Sequence, residues 1–269
     1  MTVLNKLLPL EQLNELALGL NILNGEKNIR QIINTIRKNT AIMMYDYTVD
    51  TPLWRARICN NKHDGFNNIS DVIYPSEEYV EKAGRLNNIN ESIFYLSTGY
   101  HAALSEVHAN VGDYIQLTGF KFKENKFINC CSIGEVSKFF KWGDSIFENE
   151  IRNAIKETDP ASIDSLIFSD TFLSSLLSDP NAVNNKYIYT RTLSQLIFKN
   201  NKINAISYPG VESKEQKNFA IKPTTADETF DIARTTVIKI TEKYLCGMYK
   251  FNIIKEAKAI DYKNRLILW

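Results

Sequence analysis

A chain of 269 residues, 44% of them hydrophobic and with a formal net charge of +1, can bury a substantial core in one large domain or two modest ones. The near-neutral charge argues against nucleic acid or an anionic membrane as the main partner, because those surfaces attract a basic excess. The four cysteines (Cys59, Cys130, Cys131, Cys246) lack C-x-x-C spacing and the three histidines (His63, His101, His108) lack H-E-x-x-H spacing, so reduced thiols are expected and no metal site.

The N-terminal apolar runs are interrupted by Lys6, Pro9, Glu11 and Glu15, which leaves neither a signal-peptide core nor a transmembrane span. A soluble, cytoplasmic protein is the expectation. The pattern predicts helices over 10–20 and 27–38, with Ile29, Ile32, Ile33 and Ile36 on one face of the second and Gly25 punctuating the pair. Residues 1–45 therefore read as a helical extension: a cap, an arm for a second copy of the chain, a docking site for a partner protein, or a hairpin packed on the rest. Residues 46–269 form the main domain of this reading.

Strand-like runs follow at Trp54–Cys59, Ser92–Ser97 and Tyr114–Phe122. Residues 98–108 read as a helix entered directly from a strand, with Ser97 or Thr98 as its N-cap. Helices are predicted over 145–157, 161–178 and 186–199, broken by Asp159-Pro160 and Asp179-Pro180. Strands resume at 203–208, 218–222, 235–243 and 246–260. The fold class is α+β, with a mixed or antiparallel core sheet and helices around it.

Four local features could carry chemistry. In Trp54-Arg55-Ala56-Arg57-Ile58 a strand points Arg55 and Arg57 to one face, which suits phosphate oxygens as well as it suits an edge-strand solvent face. Gly84-Arg85-Leu86-Asn87 is a turn with an arginine, a residue more often solvated than functional. The strand Ser92-Ile93-Phe94-Tyr95-Leu96-Ser97 runs into the helix that carries Glu106 beside a small and apolar stripe. A carboxylate so placed is expected to be partly buried, and a buried acid needs a partner or a task. Ile206-Ser207-Tyr208-Pro209-Gly210-Val211, followed by Asn218-Phe219-Ala220-Ile221, reads by itself as a hairpin-like connection.

In this order the four features resemble the RES-domain family: W-R-A-R-I at 54–58, G-R-L-N with S-I-F-Y-L-S and H-A-A-L-S-E-V across 84–107, and S-Y-P-G with N-F-A-I across 207–221. The resemblance spans roughly residues 46–225, its central motif being the specific part. It implies a fold similar to ADP-ribosyltransferase toxins and cleavage of NAD, as substrate rather than cofactor, at the nicotinamide–ribose bond. It also implies a bacterial toxin held inactive by an antitoxin partner, with inorganic phosphate as a second substrate if the reaction is phosphorolytic. Carried residue by residue, it matches Arg55 (with Arg57 beside it) to the first-motif arginine, Arg85 to the turn arginine, Tyr95 to the strand tyrosine and Glu106 to the helix glutamate. Glu106, Tyr95 and Arg85 become candidates for catalysis, and Arg55, Arg57, Arg85 and Tyr95 for substrate binding. The chain departs from the pattern at Gly210, where the family has a serine (Ser207 and Ser213 lie nearby), and at His101, where it has a threonine. The alternatives are an ADP-ribosyltransferase acting on a protein and a catalytically weak binding module.

Overall fold

The computed structural model describes residues 7–59, 63–210 and 216–269; Ser213 lies outside them. In chain order the helices are α1 (Leu10–Leu18), α2 (Gly25–Lys38), α3 (Ile69–Val72), α4 (Tyr100–Glu106), α5 (Glu135–Trp142), α6 (Glu148–Glu157), α7 (Pro160–Leu177), α8 (Ile188–Phe198) and α9 (Pro223–Thr229). The strands are β1 (Met43–Tyr47), β2 (Leu53–Ile58), β3 (Phe94–Ser97), β4 (Tyr114–Phe122), β5 (Ile128–Ser132), β6 (Ala205–Pro209), β7 (Lys217–Ile221), β8 (Phe230–Lys243), β9 (Tyr249–Glu256), β10 (Ala259–Asp261) and β11 (Leu266–Leu268). The class is α+β. The sequence pattern missed β1, β5, β11, α3, α5 and α9, and read β9 and β10 as one strand.

The chain divides into two compact units, each built from three stretches of sequence. The first takes residues 1–45, 82–89 and 129–209, so the 1–45 segment falls in one unit with the helical block. The four isoleucines of α2 are buried, as the spacing requires, and α2 packs against α8 and α7 while α1 packs on α7. Met43, Val136, Phe147, Ile151 and Leu166 share a core there, and β5 pairs with β6 in parallel. Prolines start α7 and the 3-10 turn after it, and Asp159 and Asp179 cap them through the N–H groups of Ala161 and Asn181.

The second unit takes residues 46–81, 90–128 and 210–269. It holds an antiparallel sheet in the order β7-β3-β2-β4-β8-β9. Helix α4 lies on one face, where Ala103 and Leu104 join Ala56, Ile115, Leu117 and Ile238 in a core. At about 25 cal/mol per Å² of apolar surface removed from water, this packing rather than local propensity stabilises a seven-residue helix. The β10–β11 hairpin bridges back to the start of α3.

Candidate active site

Entry into α4 differs from the sequence expectation in an informative way. Neither Ser97 nor Thr98 caps the helix, because both hydroxyls are engaged across the sheet. Thr98 Oγ1 accepts the Lys217 N–H at 3.1 Å and Ser97 Oγ donates to Asn218 Oδ1 at 2.6 Å. Gly99 takes the N-cap position without a side chain, and Gln216 supplies the cap from β7's side, its Oε1 accepting the Ala102 N–H at 3.2 Å. A Cβ at Gly99 would stand 2.6 Å from the Gln216 amide, so a larger residue there would push that capping amide aside.

The same pairing fixes the carboxylate at the other end of the helix. Ser97 and Asn218 are direct partners in the β3–β7 ladder, both are buried, and the Asn218 amide passes the chain on. Its Nδ2 donates to Glu106 Oε1 at 2.7 Å. Hydroxyl, amide and carboxylate thus form one directed line with the donor sense fixed at each step. Glu106 is exposed rather than partly buried; the apolar stripe beside it takes Ala102, Ala103, Leu104 and Ser105 inside and leaves the carboxylate at the helix end facing water. Among the described residues the Asn218 bond is its only hydrogen bond, so Oε2 remains for a ligand. A negative charge on the last residue of a helix opposes the helix dipole. What the fold gains from it is one charge-assisted hydrogen bond for the buried Asn218 amide.

Strand alternation places the other candidates. Trp54 opposes Ser97, so Trp54, Ser97 and, two residues back, Tyr95 share a face. Tyr95 opposes Ala220 while Asn218 opposes Ser97, which sets Tyr95, Asn218 and the Glu106 helix on the same side of the sheet. Arg55 and Arg57 project from the opposite face. A single residue pair joins β2 to β3, and beyond it Arg55 Nη1 donates to the Tyr95 carbonyl at 3.2 Å. The Arg55 guanidinium lies 6.0 Å from the Phe94 ring centre, and its buried Nε has no partner among the described residues. Arg57 donates to the Asp71 carbonyl and lies 5.8 Å from the Phe66 ring centre. Burial, with repulsion from Arg57 second, lowers Arg55 to about 10. Burial also lowers Arg57, offset in part by Asp71. Both therefore remain cationic at neutral pH, and neither forms an ion pair among the described residues.

Arg85 belongs to the first unit and has another occupation. Its Nη1 donates to the carbonyls of Leu177 and Asp179 at 2.9 and 3.0 Å, its guanidinium lies 5.5 Å from the Tyr187 ring centre, and its own carbonyl accepts the Thr190 hydroxyl. A cation on the Leu177 carbonyl, which ends α7, is a C-cap that complements the helix dipole. The turn itself is as expected, with Gly84 N–H on the Asn87 carbonyl.

The departing positions resolve in the same terms. Ser207 is fully buried in the first unit and donates to Ser132 Oγ at 2.8 Å, away from any solvent-facing chemistry. Gly210 is buried, its N–H on the Gln216 carbonyl at 3.1 Å. His101 Nδ1 accepts the Tyr249 N–H at 3.1 Å, and burial lowers its pKa, so it stays neutral and structural. The residue the sequence did not single out for a role is Asn218. An asparagine in a strand of Phe219, Ala220 and Ile221 is against propensity, and that was the available signal.

No family model, curated protein or solved structure matches the chain. Among the described residues there is no cluster of three or more metal-ligating side chains, and no helix is long and apolar enough to cross a membrane.

Proposed function

We propose that the chain is an NAD-consuming enzyme that cleaves the nicotinamide–ribose bond, on a fold similar to ADP-ribosyltransferases. The observation that carries the reading is the Ser97–Asn218–Glu106 line, which orients a solvent-facing carboxylate with one oxygen free. When the C–N glycosidic bond breaks, its electron pair passes to the pyridinium nitrogen, and neutral nicotinamide leaves. The ribose carbon becomes oxocarbenium-like. A carboxylate held in advance stabilises that charge without reorganising, and holds a ribose hydroxyl. Water or inorganic phosphate then forms the new C–O bond from the open side, and in the hydrolytic case water's proton goes to solvent.

Tyr95, half-buried on Glu106's face of the sheet, offers a ring for the nicotinamide. Arg55 and Arg57 stand behind that face, so their part is the positive field they add for a dinucleotide's phosphates rather than a clamp around them. Depletion of NAD would make the chain toxic to a bacterial host unless an antitoxin held it.

The test incubates the purified chain with NAD, with and without phosphate, and follows nicotinamide release. ADP-ribose as co-product indicates hydrolysis, and its phosphorylated form indicates phosphorolysis. Label fixed on protein would place the chain among the transferases, and absence of nicotinamide in every arm would remove the catalytic reading.

A further inference from the structure

The sheet of the second unit ends at β9, which pairs with β8, and no described strand lies beyond it. Alternation fixes which of its backbone groups face outward. Ile240 of β8 donates its N–H to the Asp113 carbonyl and accepts the Gly112 N–H, both on the β4 side. Its opposite residue, Phe251, therefore turns its N–H and C=O away from β8. Tyr249 agrees, since its N–H goes to His101. Ile253, two residues further along, turns outward as well.

Sheet edges are blunted by charge, proline, a bulge or a cover. On β9 such guards stand only at the ends of a short window. His101 covers Tyr249, and the ladder slips at Ile254, between Ile253 opposite Ile238 and Lys255 opposite Val237. The two flanking lysines are tied back into their own chain. Lys250 Nζ lies 2.7 Å from Glu242 Oε1, and Lys255 Nζ lies 4.2 Å from the Trp269 ring centre. Between them Phe251, Asn252 and Ile253 carry no charge, and Ile253 is 56% exposed.

The window is complementary to itself. In an antiparallel pairing about a two-fold axis at Asn252, Phe251 of each copy faces Ile253 of the other. All the outward N–H and C=O groups of these residues then find partners. Phe251 and Ile253 oppose Ile240 and Ile238, on the face that carries α4, so their side chains meet as aromatic and β-branched pairs. Asn252 lies on the other face and meets its own copy on the axis, where each amide can donate to and accept from the other. An unrelated peptide could match the backbone but not the axis.

We infer that the chain forms a homodimer through the β9 edge, joining the sheets of two copies. The interface is independent of the NAD reading and goes beyond it.

Sedimentation velocity of the full chain tests the inference, and the dimer fraction should rise with concentration across the micromolar range. Ile253→Lys puts a charge into the contact and should weaken association at least tenfold, with the denaturation midpoint nearly unchanged because the side chain is exposed. Asn252→Cys tests the register, in a Cys246→Ser background that removes the exposed native thiol. Residues opposed in a non-hydrogen-bonded pair lie about 4.5 Å apart at Cα, within disulfide reach, so mild oxidation should give a covalent dimer. Lys250→Cys in the same background faces Ile254 of the other copy and should not cross-link. A chain that stays monomeric up to the high micromolar range overturns the proposal. So does a dimer indifferent to Ile253→Lys, or cross-linking as efficient at 250 as at 252.

Discussion

Asp170 lies deep in the first unit, 2% exposed, and both its carboxylate oxygens accept backbone N–H groups: Gly134 at 3.0 Å and Ser137 at 2.8 Å. Glu106, in the second unit, faces solvent and gives one oxygen to a side-chain amide. The two acids are held for different ends. Asp170 caps α5 from outside, because Gly134 at the N-cap has no side chain to do it, and both its oxygens are engaged. Glu106 caps nothing and stands against its helix dipole with an oxygen to spare. An acid whose hydrogen bonds all close backbone gaps serves the fold, and one held by a side chain at the fold's expense is a candidate for chemistry.

The contrast can be broken at either acid. Glu106→Gln should lower nicotinamide release a hundredfold or more, about 3 kcal/mol of barrier, with an unchanged denaturation midpoint. Turnover near that of the unmodified chain would take Glu106 out of the mechanism. Asp170→Asn should do the opposite, lowering stability by about 2 kcal/mol, since the new amide can accept one backbone N–H and must turn a donor toward the other. Urea denaturation followed in the first unit reads it.

Asp170 also predicts a pH dependence of stability. Burial raises its pKa from 3.8 to about 6, against the lowering effect of its backbone hydrogen bonds, and neighbouring Glu135 adds to the rise. Between these values the folded chain keeps a proton that the unfolded chain has lost. Stability should therefore fall as pH rises from about 4 to about 6, by a total on the order of 3 kcal/mol. Midpoints at the two ends of that window check the sign, and Asp170→Asn should flatten the slope. A slope unchanged in the variant would assign it to other groups.

Smaller effects sharpen the comparison. Asn218→Ala removes the holder and leaves the carboxylate, so kcat should fall about tenfold with KM nearly unchanged, as expected for a positioning residue. A change confined to KM would mean that Asn218 contacts substrate itself. Arg85→Lys keeps the charge but loses the planar fork. It should cost about 1 kcal/mol of stability through the carbonyls ending α7, with turnover per folded molecule intact. Weakened NAD binding at unchanged stability would return Arg85 to the substrate site.

What could be read in the sequence follows the range of the interactions involved. The isoleucine stripe of α2, the proline-started helices and the strand-to-helix step into α4 depend on neighbours within a turn or two, and periodicity displays them. The pairing of Tyr95 with Glu106 came from the family resemblance and not from periodicity. The cap of α4 was misread because hydrogen bonds from residues 217 and 218 claim the two hydroxyls a local rule would use. Strand β5 and helix α5 escaped notice because the partners that fix them, β6 and Asp170, lie far along the chain.

Residue pattern by itself determined the α+β class, the buried stripes and the alternation that points Arg55 and Arg57 the same way. Only the tertiary structure decided that this arginine face is the one opposite Tyr95 and Glu106, that Arg85 ends a helix in the other unit, and that Asn218 holds Glu106. Sheet register and helix capping at long range join residues more than a hundred positions apart, and no local spacing encodes which donor will meet which acceptor.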